Sequence, residues 1–188
     1  CYFKKLNEKN FKKFENIINV AASNDFNSLI FNLSQNKIKH KELENDNHYH
    51  FMIESIKKAK NEIVITSGWI TKSVVNKEFI RLLEKRLKEG IKILIVYGYR
   101  YKGKHNNSSF ETIHELENIC KKYSNFQIKN GSKTKGNHSK CLIIDNQYIA
   151  VTSYNWLSSG INVKNREKGV VIFDEKFAEK ERNFFYSI

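Results

Sequence analysis

The apolar runs Cys141-Leu142-Ile143-Ile144 and Tyr148-Ile149-Ala150-Val151 are separated only by Asp145-Asn146-Gln147. Two strand-forming runs joined by so short a polar gap must turn back on each other as a hairpin. Upstream of it, helical and strand periods alternate. Tyr49, Met52, Ile53 and Ile56 form a helical stripe, and Ile63-Val64-Ile65-Thr66 is a buried-strand run. Val75, Phe79, Leu82, Leu83 and Leu87 form a second stripe with Gly90 as its stop, followed by a strand over residues 91–97. Phe110, Ile113, Leu116, Glu117 and Cys120 carry a third helix, and Phe126-Gln127-Ile128 and Val170-Val171-Ile172-Phe173 two further strands. Strand–helix alternation favours parallel pairing and the hairpin adds antiparallel pairing. The expected fold is α/β, with a mixed, mostly parallel sheet flanked by helices.

Residues 1–47 read differently. Phe11, Phe14, Ile17, Ile18 and Ala21 share one helical face, and Leu29, Ile30 and Leu33 suggest a second short helix. Between Ile38 and Asn47 only Leu43 is strongly apolar, which reads as a linker or exposed turn. The expected organisation is a helical N-terminal appendage over 1–47 and a main domain over 48–188. A chain of 188 residues suffices for one domain with a real core.

Composition narrows the partners. Lys+Arg 33 against Asp+Glu 20 leaves a net charge of +13, which points to a polyanion, nucleic acid or anionic lipid, more than to a small acidic molecule. No run approaches the ~18 apolar residues of a spanning helix, and no signal-peptide pattern opens the chain. No membrane partner is expected. Cys1, Cys120 and Cys141 form no CxxC pair, which argues against a disulfide framework or a thiolate zinc site and makes a reduced, cytoplasmic setting the expectation. The first residue is Cys rather than Met, as in a processed product or a piece of a longer polypeptide with further domains.

The chemistry concentrates in His138-Ser139-Lys140 and in Ser153, Asn155 and Glu167 downstream. His138 and Lys140 stand two apart at the start of a strand, so period-two alternation puts both on one face. An imidazole beside an ammonium suits attack on a phosphodiester: the Lys offsets the phosphate charge and the His supplies a lone pair or a proton. Ser153 and Asn155, also two apart, offer neutral hydrogen-bonding groups to phosphate oxygens. Glu167 is expected to accept a hydrogen bond from one imidazole nitrogen and so fix which nitrogen reacts.

These residues resemble the HxKxxxxD signature of the phospholipase D superfamily, followed by its small-Ser-x-Asn step and its later Glu. Ile65-Thr66-Ser67-Gly68-Trp69-Ile70 and Ser153-Tyr154-Asn155-Trp156-Leu157-Ser158 are similar to the SPWI and SxNWLS steps of single-motif nuclease domains attached to bacterial helicases and defence proteins. The resemblance covers roughly residues 48–175. It implies a His138 nucleophile that forms a phosphohistidine, a second His that protonates the leaving group, and no metal or other cofactor. His-x-Lys-x4-Asp alone is a weak signal. Adding the downstream Ser, Asn and Glu lowers the chance of coincidence by about three orders of magnitude. The chain departs from the family in carrying Thr152 where Gly usually precedes the Ser. Asp145, at the hairpin turn, is read as structural, in an Asx turn.

No other histidine precedes a lysine by two residues, so a two-histidine mechanism requires His138 of a second copy. A homodimer with one composite site is expected. His48 and His50 lack further ligands at metal-binding spacing and read as a surface pair. Trp69 and Trp156 are read as rim or core aromatics. Lys121, Lys122, Lys129, Lys133, Lys135 and Lys140 form an acid-free basic stretch, and Arg100, Lys102 and Lys104 lie among Tyr97, Tyr99 and Tyr101. Cations interleaved with aromatics hold phosphates and stack on bases. Lys133, Lys135, Arg100 and Lys102 join Ser153 and Asn155 as expected substrate-binding residues. The favoured reading is a metal-independent nuclease acting on DNA or RNA, with DNA preferred. The alternatives are a non-catalytic nucleic-acid-binding or dimerisation module and, behind it, a phospholipid hydrolase.

Overall fold

The computed structural model describes residues 26–98, 109–131, 138–161 and 163–188. In chain order the elements are α1 (Phe26–Gln35), β1 (His40–Glu44), α2 (Asn47–Lys58), β2 (Glu62–Ser67), α3 (Lys77–Lys88), β3 (Lys92–Tyr97), α4 (Phe110–Lys122), β4 (Phe126–Asn130), β5 (Cys141–Ile144), β6 (Tyr148–Thr152), β7 (Lys168–Ile172) and α5 (Glu175–Ser187). The strands form one sheet in the order β1-β7-β6-β5-β2-β3-β4.

Both sheet faces are covered, which is why the strands read as nearly unbroken apolar runs. Ile63, Ile65, Ile93, Ile95, Leu142 and Ile144 pack with Met52 and Ile56 of α2, Phe79 and Leu83 of α3, and Leu116 of α4. The alternate residues Val64, Leu94, Ile143, Ile149 and Ile172 pack with Leu29 and Leu33 of α1 and Phe177, Ala178 and Phe185 of α5. The result is three layers, with α2–α4 on one face and α1 and α5 on the other. Side chains cap the starts of α3 and α5. Asn76 Oδ1 accepts from Glu78 N and Phe79 N at 3.0 Å each, and Asp174 Oδ1 from Phe177 N at 2.9 Å. The stop after α3 is Gly90, at φ +86°. No described helix is long and apolar enough to cross a membrane.

The mixed α/β sheet matches the sequence expectation, but parallel pairing is the minority. Only β2–β3 and β3–β4 are parallel; the other four pairings are antiparallel. Crossover helices join only β2, β3 and β4, whereas β5 returns on the far side of β2 against its direction and the hairpin continues the reversal. The stretch read as a linker is also corrected. Within it, residues 40–44 form the edge strand β1, paired with β7 from His40–Ile172 to Glu44–Lys168. An edge strand can bury a single side chain, here Leu43, and leave Lys41 and Glu42 in solvent. The stripe at Phe11–Ala21 lies outside the described residues.

Candidate active site

Strand direction gathers the chemistry at one edge of the sheet. β2, β3 and β6 end there, and β5 and β7 begin there. His138 and Lys140 precede β5, Ser153 and Asn155 follow β6, Glu167 precedes β7, and Gly68 follows β2.

Lys140 Nζ lies 3.2 Å from His138 Nε2 and donates to His138 O at 3.3 Å. The shared face expected from the spacing is therefore found, although the two residues stand just before the strand. Thr66, fully buried at the end of β2, clamps the backbone between and after them. Its hydroxyl donates to Ser139 O at 2.9 Å and accepts from Cys141 N at 2.8 Å. Lys140 O accepts from Thr152 N at 3.2 Å, tying the pair to β6. Partial burial, then the Lys140 charge, holds the His138 imidazole below the usual histidine range. Desolvation likewise lowers Lys140, opposed by the negative charge of Glu167. The pair therefore favours an unprotonated imidazole beside a cation.

Ser153 does not stand alone facing solvent. Its hydroxyl donates to the Glu167 carboxylate and accepts from Lys168 N at 3.1 Å. Asn155 Oδ1 accepts from Gly68 N at 3.2 Å, so the side-chain NH2 is the polar group it has left to offer. The two motif segments are zipped together. Ser67 Oγ accepts from Leu157 N at 3.2 Å and donates to Trp69 O at 2.9 Å, and Thr71 N donates to Leu157 O at 2.9 Å. Trp156 is a core residue and Trp69 is half-buried.

Asp145 is structural in a different way from the local Asx turn expected. Its carboxylate accepts from Lys60 N, Asn61 N and Glu62 N at 2.8, 2.7 and 2.8 Å, anchoring the hairpin turn to the start of β2. Lys129 donates to Tyr186 O at 2.6 Å, so this cation of the basic stretch caps the end of α5. Lys133, Lys135, Arg100, Lys102 and Lys104, with Tyr99 and Tyr101, lie outside the described residues. The surface pair His48/His50 is corrected: His50 is exposed but His48 is fully buried. Positions two apart on a helix point to nearly opposite sides. Among the described residues no cluster of three or more His, Cys, Asp or Glu is arranged to hold a metal ion.

Sequence reading missed Thr66, Asn45 and Gly169. Thr66 carried a faint signal, as a hydroxyl that directly follows the apolar run Ile63-Val64-Ile65. Asn45 sits at φ +46°, its N–H donating to Glu167 O at 3.0 Å and its Oδ1 accepting from Glu167 N at 3.1 Å. It thus grips the backbone of Glu167 on both sides.

Fold and family together define a class, that of enzymes acting on phosphodiester bonds. The chain belongs to the phospholipase D superfamily: the family model described as "Cardiolipin synthase, PLD-like domain" matches residues 52–188. Among solved structures it resembles the phospholipase D family member Nuc from Salmonella typhimurium, at 20% identity and a TM-score of 0.58, over 79% of this chain and 93% of that one. NucT from Helicobacter pylori gives 21% identity and a TM-score of 0.57, over 79% and 95%. TrmBL2, described as an archaeal chromatin protein with a novel mode of DNA binding, gives 15% identity and a TM-score of 0.52, over 99% of this chain and 65% of that one. No curated protein sequence matches it.

Proposed function

We propose that the chain is a metal-independent phosphodiesterase that cleaves nucleic acid, DNA in preference to RNA, through a phosphohistidine at a site shared by two copies. The observation that carries the reading is the 3.2 Å approach of Lys140 Nζ to His138 Nε2 at the edge that also carries Asn155. His138 Nε2 attacks phosphorus as the P–O bond to the leaving group breaks, and His138 of the second copy gives that oxygen its proton. Water then attacks phosphorus, the second imidazole takes the water proton, and the P–N bond breaks. Lys140 and the Asn155 amide hold the phosphate oxygens. Ser153 and Glu167 form the support that orients the histidine. The net charge of +13 suits a polyanionic substrate, and the DNA binding described for TrmBL2 supports nucleic acid as that substrate.

The test is cleavage of plasmid and single-stranded DNA in EDTA, with His138→Ala alongside and phosphatidylcholine vesicles as a competing substrate. Cleavage by the wild type and none by the variant is expected. Vesicle turnover exceeding DNA cleavage overturns the nucleic-acid assignment. Salt-sensitive DNA binding by both proteins, with no product at any pH, makes this a binding module instead. The shared site has its own test. When wild type is mixed and re-equilibrated with excess His138→Ala, activity should fall as the square of the wild-type fraction; a linear fall places the whole site in one chain.

A further inference from the structure

His48 is fully buried at the start of α2 and touches the segments that carry Glu167 and Ser153–Asn155. Its Nδ1–H donates to Asn45 O at 2.8 Å. Asn45 in turn holds Glu167 through two hydrogen bonds, and Glu167 holds the Ser153 hydroxyl. The imidazole also stacks on Tyr154, with centroids 5.0 Å apart and planes 14° apart, and meets Trp156 at 5.7 Å. Tyr154 lies between Ser153 and Asn155, and its hydroxyl donates to Gly160 O at 2.6 Å, which pins the ring. The edge of the ring at Nε2 lies over Gly169, where a Cβ would come within 2.7 Å of it. One ring therefore fixes the Glu167 strand start through Asn45 and the Ser153–Asn155 turn through stacking.

We infer that His48 is a positioning residue: through Asn45 it sets the placement of Glu167, and through Tyr154 that of Ser153 and Asn155, in register with the His138–Lys140 pair. The inference rests on the proposed function for its kinetic consequence but not for its structural one. Nδ1 is committed as a donor to Asn45 O. Burial lowers the ring's proton affinity, against the pull of the Asn45 and Lys168 backbone and of the Glu44 carboxylate. A group with a fixed proton and a fixed plane suits alignment, since misplacing a supporting group by ~1 Å can cost about a hundredfold in rate.

Two variants separate the donor from the ring. His48→Phe keeps the stacking surface and loses the Nδ1–H donor, whereas His48→Asn keeps a donor at the Nδ1 position and loses most of the ring. Asn45→Gly tolerates the positive φ and deletes the Oδ1 that accepts from Glu167 N. Two readouts are taken on each: kcat and KM for DNA cleavage, and amide hydrogen exchange at Asn45, Glu167 and Ser153. For His48→Phe and Asn45→Gly the expected result is a kcat about 10- to 100-fold lower with KM little changed, and faster exchange at Glu167. His48→Asn should restore exchange protection and part of kcat. Wild-type exchange rates at Glu167 in His48→Phe, or a wild-type kcat in both His48→Phe and His48→Asn, overturn the inference. If the wild type proves inactive on DNA, the proposed function fails. The exchange measurement still decides whether His48 holds Glu167.

Discussion

Thr152 and Gly169 face each other across the β6–β7 ladder, and the missing Cβ of one makes room for the side chain of the other. A Cβ on Gly169 would lie 2.8 Å from Thr152 Cβ and 2.9 Å from Thr152 Oγ1. In the space left, the Thr152 hydroxyl donates to Lys168 O and accepts from Tyr154 N, both at 2.9 Å. The threonine that precedes Ser153 is thus accommodated by a glycine on the neighbouring strand, and it helps aim the turn bearing Ser153 and Asn155.

Gly169→Ala should therefore destabilise the fold by about 1–3 kcal/mol, because backbone and β-carbon atoms on a packed sheet cannot give way cheaply. Adding Thr152→Gly should recover part of that loss, leaving the contact with His48. Urea denaturation of both single variants and the double variant measures the coupling. Strict additivity would show that the two positions do not share space.

For His138→Ala the cleavage rate should fall by about 10²–10⁴-fold with no loss of secondary structure, as expected when a reacting imidazole is removed. Steady-state kinetics beside circular dichroism checks this.

The pH profile follows from the direction of the His138 shift. Its proton affinity is lowered by burial and by Lys140, so the neutral nucleophile persists as pH falls below the usual histidine range. In the proposed two-copy site both imidazoles are His138, so the acid limb and the basic limb should both be displaced to lower pH than for a free histidine. Lys140→Met removes the repelling charge, so in that variant the acid limb should move to higher pH. An acid limb that stays in place would show that Lys140 does not act on His138.

Thr66→Val conserves shape and deletes the hydroxyl that bridges Ser139 O and Cys141 N. Two buried backbone groups lose their partner, at a cost of about 1–3 kcal/mol. The strap carrying His138 and Lys140 should loosen, lowering kcat more than it raises KM. A thermal melt paired with kinetics separates the two effects.

Asp145→Ala should cost about 2–3 kcal/mol, since three backbone N–H groups lose a charged acceptor. Cleavage per folded molecule should remain unchanged, because Asp145 binds the far end of β2 from the reacting edge. Denaturant titration and specific activity of the folded fraction read the two quantities. Lost activity in a fully folded protein would assign Asp145 a chemical part.

What was legible in the sequence was short in range. The hairpin announced itself by a gap too short for anything else, and helices α2, α3 and α4 by apolar spacing. The His138–Lys140 approach followed from alternation along extended chain. β1 escaped because an edge strand needs only Leu43 buried. α5 was not anticipated although Asp174 caps it and Phe177, Ala178, Glu181 and Phe185 carry its buried spacing. His48 and His50 looked alike in the text and are separated only by the turn of the helix.

The sequence by itself determined the family, the alternating elements and the approach of the histidine–lysine pair, because spacing along a covalent chain dictates which side chains share a face. The tertiary structure decided the strand order, the minority of parallel pairs, and the groups that hold the site. Thr66 reaches across 73 residues to Ser139, Asn45 grips Glu167 across 122, and Gly169 yields its space to Thr152. Such contacts join residues far apart in the chain and leave no local period, so they exist only once the sheet has assembled.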